Sequence, residues 1–198
     1  MRLAGTVAVI TGGAAGIGLA YGRRFLAEGA RVVLADVADP VAAALELAPE
    51  RAYGVRTDVS DMASVRAMVH AAVARFGRID VLVNNAAVFA TLKPQPFDEI
   101  PEAEWDVVAM TRALARELGP SGITVNAVAP GLILSDTVQA NPDITAFQSA
   151  AVMQARSLKR DAFPDDVEGA VVFLASDDSA FMSGQTLIVD GGSVFSTL

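Results

Sequence analysis

Short apolar runs alternate along this chain with stretches in which apolar residues recur every three or four positions. Thr6–Thr11 (TVAVIT) is β-branched, bounded by glycine and too short for a helix, which predicts a buried strand. Arg31–Asp36 (RVVLAD), Arg78–Asn84 (RIDVLVN), Ile123–Ala129 (ITVNAVA) and Gln185–Asp190 (QTLIVD) carry the same signal, and Arg51–Arg56 a weaker one. Between them, Gly16–Gly29 and Asp61–Gly77 follow helical spacing, as in Val65, Met68, Val69, Ala72, Val73 and Phe76. Asp39-Pro40 marks one helix start, and Gly29 and Gly77 fall just past two helix ends. Strands alternating with helices imply parallel pairing and a sheet covered on both faces, an α/β doubly wound architecture. No repeat, low-complexity tract or linker interrupts the pattern, so a single domain over residues 1–198 is expected.

Composition narrows the chemistry. The 198 residues carry 15 Lys+Arg against 23 Asp+Glu, a net charge of −8, with 53% hydrophobic residues and no cysteine. The length suits one well-buried core. The acidic balance argues against a nucleic-acid or anionic-membrane partner, since either would be repelled. Without cysteine there are no disulfides, thiolate metal sites or cysteine nucleophiles, and His70 is the one histidine, so His-rich metal sites are excluded too. No apolar run approaches the roughly 18 residues of a membrane span, and Met1–Thr6 leads into a strand without a signal-peptide core. A soluble, cytoplasmic protein is the expectation.

Thr11-Gly12-Gly13-Ala14-Ala15-Gly16-Ile17-Gly18 joins the first strand to the first helix. Glycines there permit a tight turn, let backbone approach a pyrophosphate and aim the helix's first amides at its charge. Asp36 ends the second strand about 20 residues on, where a carboxylate accepts hydrogen bonds from an adenosine ribose and repels a 2′-phosphate. Neither the loop nor the residues just after Asp36 contain Lys or Arg, which favours NAD over NADP. The bland alternative is a glycine turn that only packs a helix on a sheet.

With these features the chain resembles the short-chain dehydrogenase/reductases over nearly its whole length. The family's Thr-Gly-x-x-x-Gly-x-Gly loop is Thr11–Gly18, and its acidic residue for NAD is Asp36, followed by Val37. Asp58-Val59 matches the pair that brackets adenine, and Asn84-Asn85-Ala86-Ala87 the family's Asn-Asn-Ala-Gly, with alanine in the last place. Pro130-Gly131, after the strand holding Asn126, resembles the segment that closes over the nicotinamide; Ser135 stands where a cofactor-contacting Thr is common. Phe173–Asp178 and Gly184–Gly192 resemble the last helix and strand. The resemblance implies a Rossmann-like fold and hydride transfer between NAD and a secondary alcohol or ketone. It places the cofactor on Gly12, Ala14, Ala15, Gly16, Ile17, Gly18, Asp36, Val37, Asp58, Val59, Asn85, Ala86, Ala87, Pro130, Gly131, Ile133 and Ser135.

The catalytic part of the family pattern is missing. Those enzymes use a Tyr-x-x-x-Lys pair on a helix, a Ser on the preceding strand and an Asn one helix earlier. A tyrosine with a pKa of about 10 is a poor base near neutrality, so a lysine and the cofactor's charge must lower it. Here the tyrosines are Tyr21 and Tyr53 and the lysines Lys93 and Lys159, so the spacing does not occur, and no serine lies between Ser64 and Ser121. Glu104-Trp105-Asp106 resembles the start of one family helix and Thr111–Gly119 the end of the next, with Arg112 where an Asn is expected. Roughly fifty residues, one helix–strand unit, are lost between them. One continuous helix over Pro101–Leu118, with Leu114 and Leu118 inward, then joins strand 78–84 to strand 123–129. The expected product is a shortened six-strand sheet in which those two strands pair directly.

Three functional readings follow: an NAD-dependent oxidoreductase with severely impaired catalysis, a nucleotide-binding pseudoenzyme or interaction module, or an active enzyme with a break hidden within Trp105–Thr111. A Cα step well beyond 3.8 Å there would reveal such a break. Homo-oligomers in the family use the two truncated helices and the last strand, so weakened assembly is expected. His70, without a partner at ligand spacing, reads as a packing residue; Asp177 and Asp178 read as a solvated turn. Residues 132–163, with Phe147, Met153, Leu158 and Phe163 among polar positions, read as a substrate lid, against an ordinary amphipathic loop.

Overall fold

A computed structural model describes residues 1–87, 107–140 and 152–193. Strand β1 (Val7–Thr11) is buried along its whole length because it has a parallel partner on each side, β2 (Arg31–Asp36) and β4 (Val81–Val83). Strand β3 (Ala52–Arg56) extends the sheet beyond β2, giving the order β3-β2-β1-β4. Its two faces are covered from opposite sides, as expected of a doubly wound α/β fold. Ala8, Ile10, Val32 and Leu34 meet Tyr21, Phe25 and Leu26 of helix α1 (Gly16–Ala27), together with Ala44 of α2 (Val41–Leu47). Val7, Val9, Val33 and Ala35 meet Met68, Ala72 and Phe76 of α3 (Met62–Phe76).

Helix ends fall where the caps predict. The Asp61 carboxylate accepts the amide of Ala63 at 2.9 Å at the start of α3, and Gly77 closes it with φ of 87°. Asp39 accepts the Val41 amide at 2.9 Å ahead of α2. Helix α4 (Val107–Leu118) forms the C-terminal part of the expected helix over Pro101–Leu118; Pro101–Asp106 lie outside the described residues. From Val107 onward α4 is unbroken, so of the stretch Trp105–Thr111 only Trp105 and Asp106 lie outside the described residues. Leu114 and Leu118 are half-buried.

The expected direct pairing of strands 78–84 and 123–129 does not occur. Strand β5 (Ala127–Pro130) pairs in parallel with β6 (Thr186–Val189) as a separate two-stranded sheet, while β4 pairs with β1. The helix layer accounts for the separation. Val81 and Val83 of β4, Val128 of β5 and Val189 of β6 all rest on one apolar cluster that includes Phe25 of α1 and Val167, Val171 and Val172 of α6 (Pro164–Leu174). Packing of α1 against α6 sets the spacing of the two sheets, and the strands follow it rather than closing edge to edge. On the opposite face Leu82 is left 54% exposed.

Of the segment expected as a lid, 141–151 including Phe147 lie outside the described residues. The parts on either side meet: Ile133 and Ala162 form a parallel bridge, and the Leu134 amide donates to the Ala162 carbonyl at 2.8 Å. Between them stands a short helix, α5 (Asp136–Gln139).

Candidate cofactor site

Parallel strands bring their carboxyl ends to one edge, so the segments after β1, β2, β3 and β4 are neighbours there. Thr11, the last residue of β1, ties two of them together. Its hydroxyl donates to the Val83 carbonyl at 3.3 Å and accepts the amides of Asn85 and Ala86, each at 3.0 Å. The Asn85 side-chain amide in turn donates to the carbonyls of Thr11 at 2.9 Å and Gly12 at 3.3 Å. Gly12 turns the chain with φ of 64°, and a Cβ on Gly18 would lie 2.1 Å from the Gly12 carbonyl oxygen. Glycine is therefore dictated at position 18 by backbone approaching backbone, rather than by a positive φ.

The loop delivers the first turn of α1 without a side-chain cap. Ala15 occupies the N-cap and offers no acceptor, and no acidic residue stands in the first turn. These donors and the positive end of the helix dipole form a cradle for an anion. Asp36 borders it: one carboxylate oxygen accepts the Ala14 amide and the other the Ala38 amide, both at 3.0 Å. The Thr57 amide donates to the Asp36 carbonyl at 2.7 Å, which sets Asp58-Val59 beside Asp36. Hydrogen bonds from the Ser60 hydroxyl and amide, at 2.6 and 2.9 Å, hold the Asp58 carboxyl below the usual carboxylate range. Val37 and Val59 present exposed apolar side chains at this edge.

A second arm approaches from the other sheet. Pro130 ends β5, Gly131 donates to the Val189 carbonyl at 3.0 Å, and Ile133 is buried. Buried Ser135 caps α5, its hydroxyl accepting the Val138 amide at 3.4 Å. A Cβ at Gly16 would lie 3.0 Å from the Thr137 hydroxyl and 3.6 Å from that of Ser135, so this arm folds against the start of α1. Gly12–Gly18, Asp36-Val37, Asp58-Val59 and Asn85–Ala87 thus share the edge of the four-stranded sheet, and Ser135 joins them at Gly16. Thr11 and Thr137 complete the arrangement. A hydroxyl closing an apolar run directly before the glycines is the signal for the first; Thr137 has no comparable one.

Among the described residues, no tyrosine or histidine beside this site has the properties of the family's catalytic base. The Tyr21 phenol is pushed up to about 12, first by burial and then by the Glu168 charge, opposite to what a base near neutrality requires. Tyr53 lies on β3, the edge strand two strands from β1. His70 is exposed on α3, and among the described residues no group of three His, Asp or Glu could hold a metal. Among them, too, no helix is long and apolar enough to cross a membrane.

The short chain dehydrogenase family model matches residues 6–109, more than half of the sequence. This chain belongs to the short-chain dehydrogenase family. A second model of that family, described as enoyl-(acyl carrier protein) reductase, matches residues 105–194. The two matches meet at 105–109, within the stretch where the sequence pattern jumps from one family helix to the next. An uncharacterized oxidoreductase of Mycobacterium bovis is 37% identical over 238 positions that span 93% of this chain and 95% of the relative. Since 93% of 198 residues is about 184, roughly 54 of those positions have no counterpart here. Momilactone A synthase of Oryza sativa subsp. japonica is 33% identical, with 96% of this chain and 90% of the relative covered. Among solved structures, a short-chain dehydrogenase/reductase described as glucose/ribitol dehydrogenase from Brucella melitensis superposes with a TM-score of 0.81 at 27% identity, covering 99% of both chains. Membership makes the chain a Rossmann-like oxidoreductase relative of the kind that uses a nicotinamide nucleotide.

Proposed function

We propose that residues 1–198 form a single NAD-binding short-chain dehydrogenase domain that retains the cofactor cradle and has lost efficient hydride transfer. The observation that carries this reading is the contrast within one site: the uncapped first turn of α1 meets Gly12, Gly18 and Asp36 in a cradle fitted to a dinucleotide, while no tyrosine has a lysine four residues on. In this reading the amides of Ala15–Gly18 hold the pyrophosphate, Asp36 binds the adenosine ribose and excludes a 2′-phosphate, and Val37, Asp58 and Val59 border the adenine. Asn85–Ala87 and the Pro130–Ser135 arm flank the nicotinamide. When bound, the nicotinamide takes up or gives hydride at the carbon of a secondary alcohol or ketone. The chain's own contribution then stops at binding and orientation, because a proton must leave or reach the substrate oxygen and Tyr21, raised to about 12, is no acceptor for it.

The test is alcohol oxidation with NAD, compared with a relative that carries the Tyr-x-x-x-Lys pair. We expect turnover at least ~10²-fold lower, the lower end of what general acid/base catalysis contributes. Turnover equal to the complete relative would overturn the loss of catalysis. Nucleotide binding with no measurable turnover would identify a nucleotide-binding module, a reading that the intact Thr11–Asn85 brace also favours.

A further inference from the structure

We infer that Arg156 is a positioning residue: a buried strut that sets the Gly131–Ser135 arm of the cofactor site from behind. The inference rests on the cofactor reading above. Arg156 is only 2% exposed, unusual for a side chain whose charge normally stays in water. Its two terminal nitrogens end on backbone carbonyls of different segments, Nη2 donating to Leu132 at 2.5 Å and Nη1 to Arg160 at 3.0 Å. Leu132 lies in the arm itself, between Gly131 and buried Ile133. The strut has a firm base. The Ser157 amide and hydroxyl both donate to the Gly192 carbonyl at 3.1 Å, and the Leu158 amide to that of Gly191 at 2.9 Å, pinning the backbone beside Arg156 to the exit of β6. Gly191, whose φ of 70° favours glycine, packs against the arginine stem: a Cβ there would stand in ordinary contact, 3.4 Å from Arg156 Cδ.

The side chain thus lies between the carboxyl ends of β5 and β6, its stem beside Gly191 and its guanidinium joining Leu132 to Arg160. Its planar fork, with donors at fixed angles, suits two carbonyls that must be kept in one relation; a flexible ammonium reaches one. Arg156 Nε has no hydrogen-bond partner among the described residues, a cost that an apolar side chain of similar length would avoid. The two carbonyls it bridges are the compensation, and one of them fixes the arm that carries Ile133 and Ser135.

The experiment compares NADH with ADP, which lacks the nicotinamide half, by calorimetric titration of the whole protein and of R156M and R156K. We expect R156M to weaken NADH at least tenfold while ADP stays within twofold, and R156K to fall between. Hydrogen exchange gives a readout that needs no nucleotide: the Leu134 and Ser135 amides exchange faster in both variants, with those of Gly12–Gly18 unchanged. An unchanged ratio of NADH to ADP affinity in variants that remain folded would overturn this inference alone, as would unchanged exchange in the arm. Failure of the unaltered protein to bind either nucleotide would overturn the cofactor reading and the inference with it.

Discussion

Gly18→Ala adds one methyl group at the tightest point of the cofactor loop. Its Cβ would stand 2.1 Å from the Gly12 carbonyl oxygen, 2.6 Å from Asn85 Nδ2 and 2.9 Å from the Gly12 carbonyl carbon. Ordinary carbon–oxygen contacts begin at about 3.3 Å, so the loop and the helix start must part by roughly 1 Å. The nearest wall is main chain and cannot rotate away, and the same carbonyl receives the Asn85 side-chain amide at 3.3 Å. Overpacking of this kind costs about 1–3 kcal/mol. Displacing one amide from a charged phosphate costs a further ~1.5–3 kcal/mol of affinity, or about 10- to 100-fold. Denaturant unfolding and NADH titration read the two effects separately. Gly119→Ala is the control, because nothing lies within 4 Å of its Cβ position; its effect stays within about 0.5 kcal/mol. A G18A protein with unaltered unfolding midpoint and unaltered NADH affinity would refute the proposed close packing and its role.

Two further predictions concern pH. Glu168 has its pKa raised, by burial first and then by Asp165, against the pull of Arg24 and Arg23. The folded state holds that proton more tightly than the unfolded one, so this group's contribution is fully present below its ordinary value of 4.5 and is lost as pH rises through the raised value. Glu168→Gln is expected to raise Tm at pH 8 by a few degrees, about 2–4 °C per kcal/mol in a chain of this size, with no gain at pH 4; a lower Tm at pH 8 contradicts it. Asp166 is held down to about 2, chiefly by the Arg160 guanidinium and then by the Phe163 amide it accepts at the start of α6. Its contribution is present above the ordinary value of 3.8 and disappears as pH falls through about 2. Asp166→Asn is expected to cost about 1 kcal/mol at pH 7, a difference from the unaltered protein that closes near pH 2 in acid-unfolding curves. Assembly is expected to be weak: light scattering that shows a stable tetramer would count against loss of the segment between Trp105 and Thr111.

The N-terminal half was readable in the sequence because each of its strands finds its partner within the chain. Arg31–Asp36 is β2 residue for residue, and Thr6–Thr11 loses only its first position. The seven-residue runs at 78–84 and 123–129 form strands only at Val81–Val83 and Ala127–Pro130, each pairing on one side among the described residues. Apolar pattern reports the capacity to form a strand; pairing needs a neighbour, and direct closure failed since the α1–α6 layer sets the distance. The glycine loop and Asp36 were legible through local spacing. Arg156 and Thr137 were not, since a charged residue or hydroxyl in an irregular segment carries no periodic signal and defaults to the surface. Their placement follows from long-range contacts to Leu132 and to the start of α1.

The most direct test of a retained cradle is a pair of calorimetric titrations of the unaltered protein, one with NADH and one with NADPH. The account predicts saturable one-to-one binding of NADH, with NADPH weaker by roughly tenfold or more, as expected when the Asp36 carboxylate faces a 2′-phosphate. No saturable binding of NADH, or NADPH binding as tight as NADH, would contradict it.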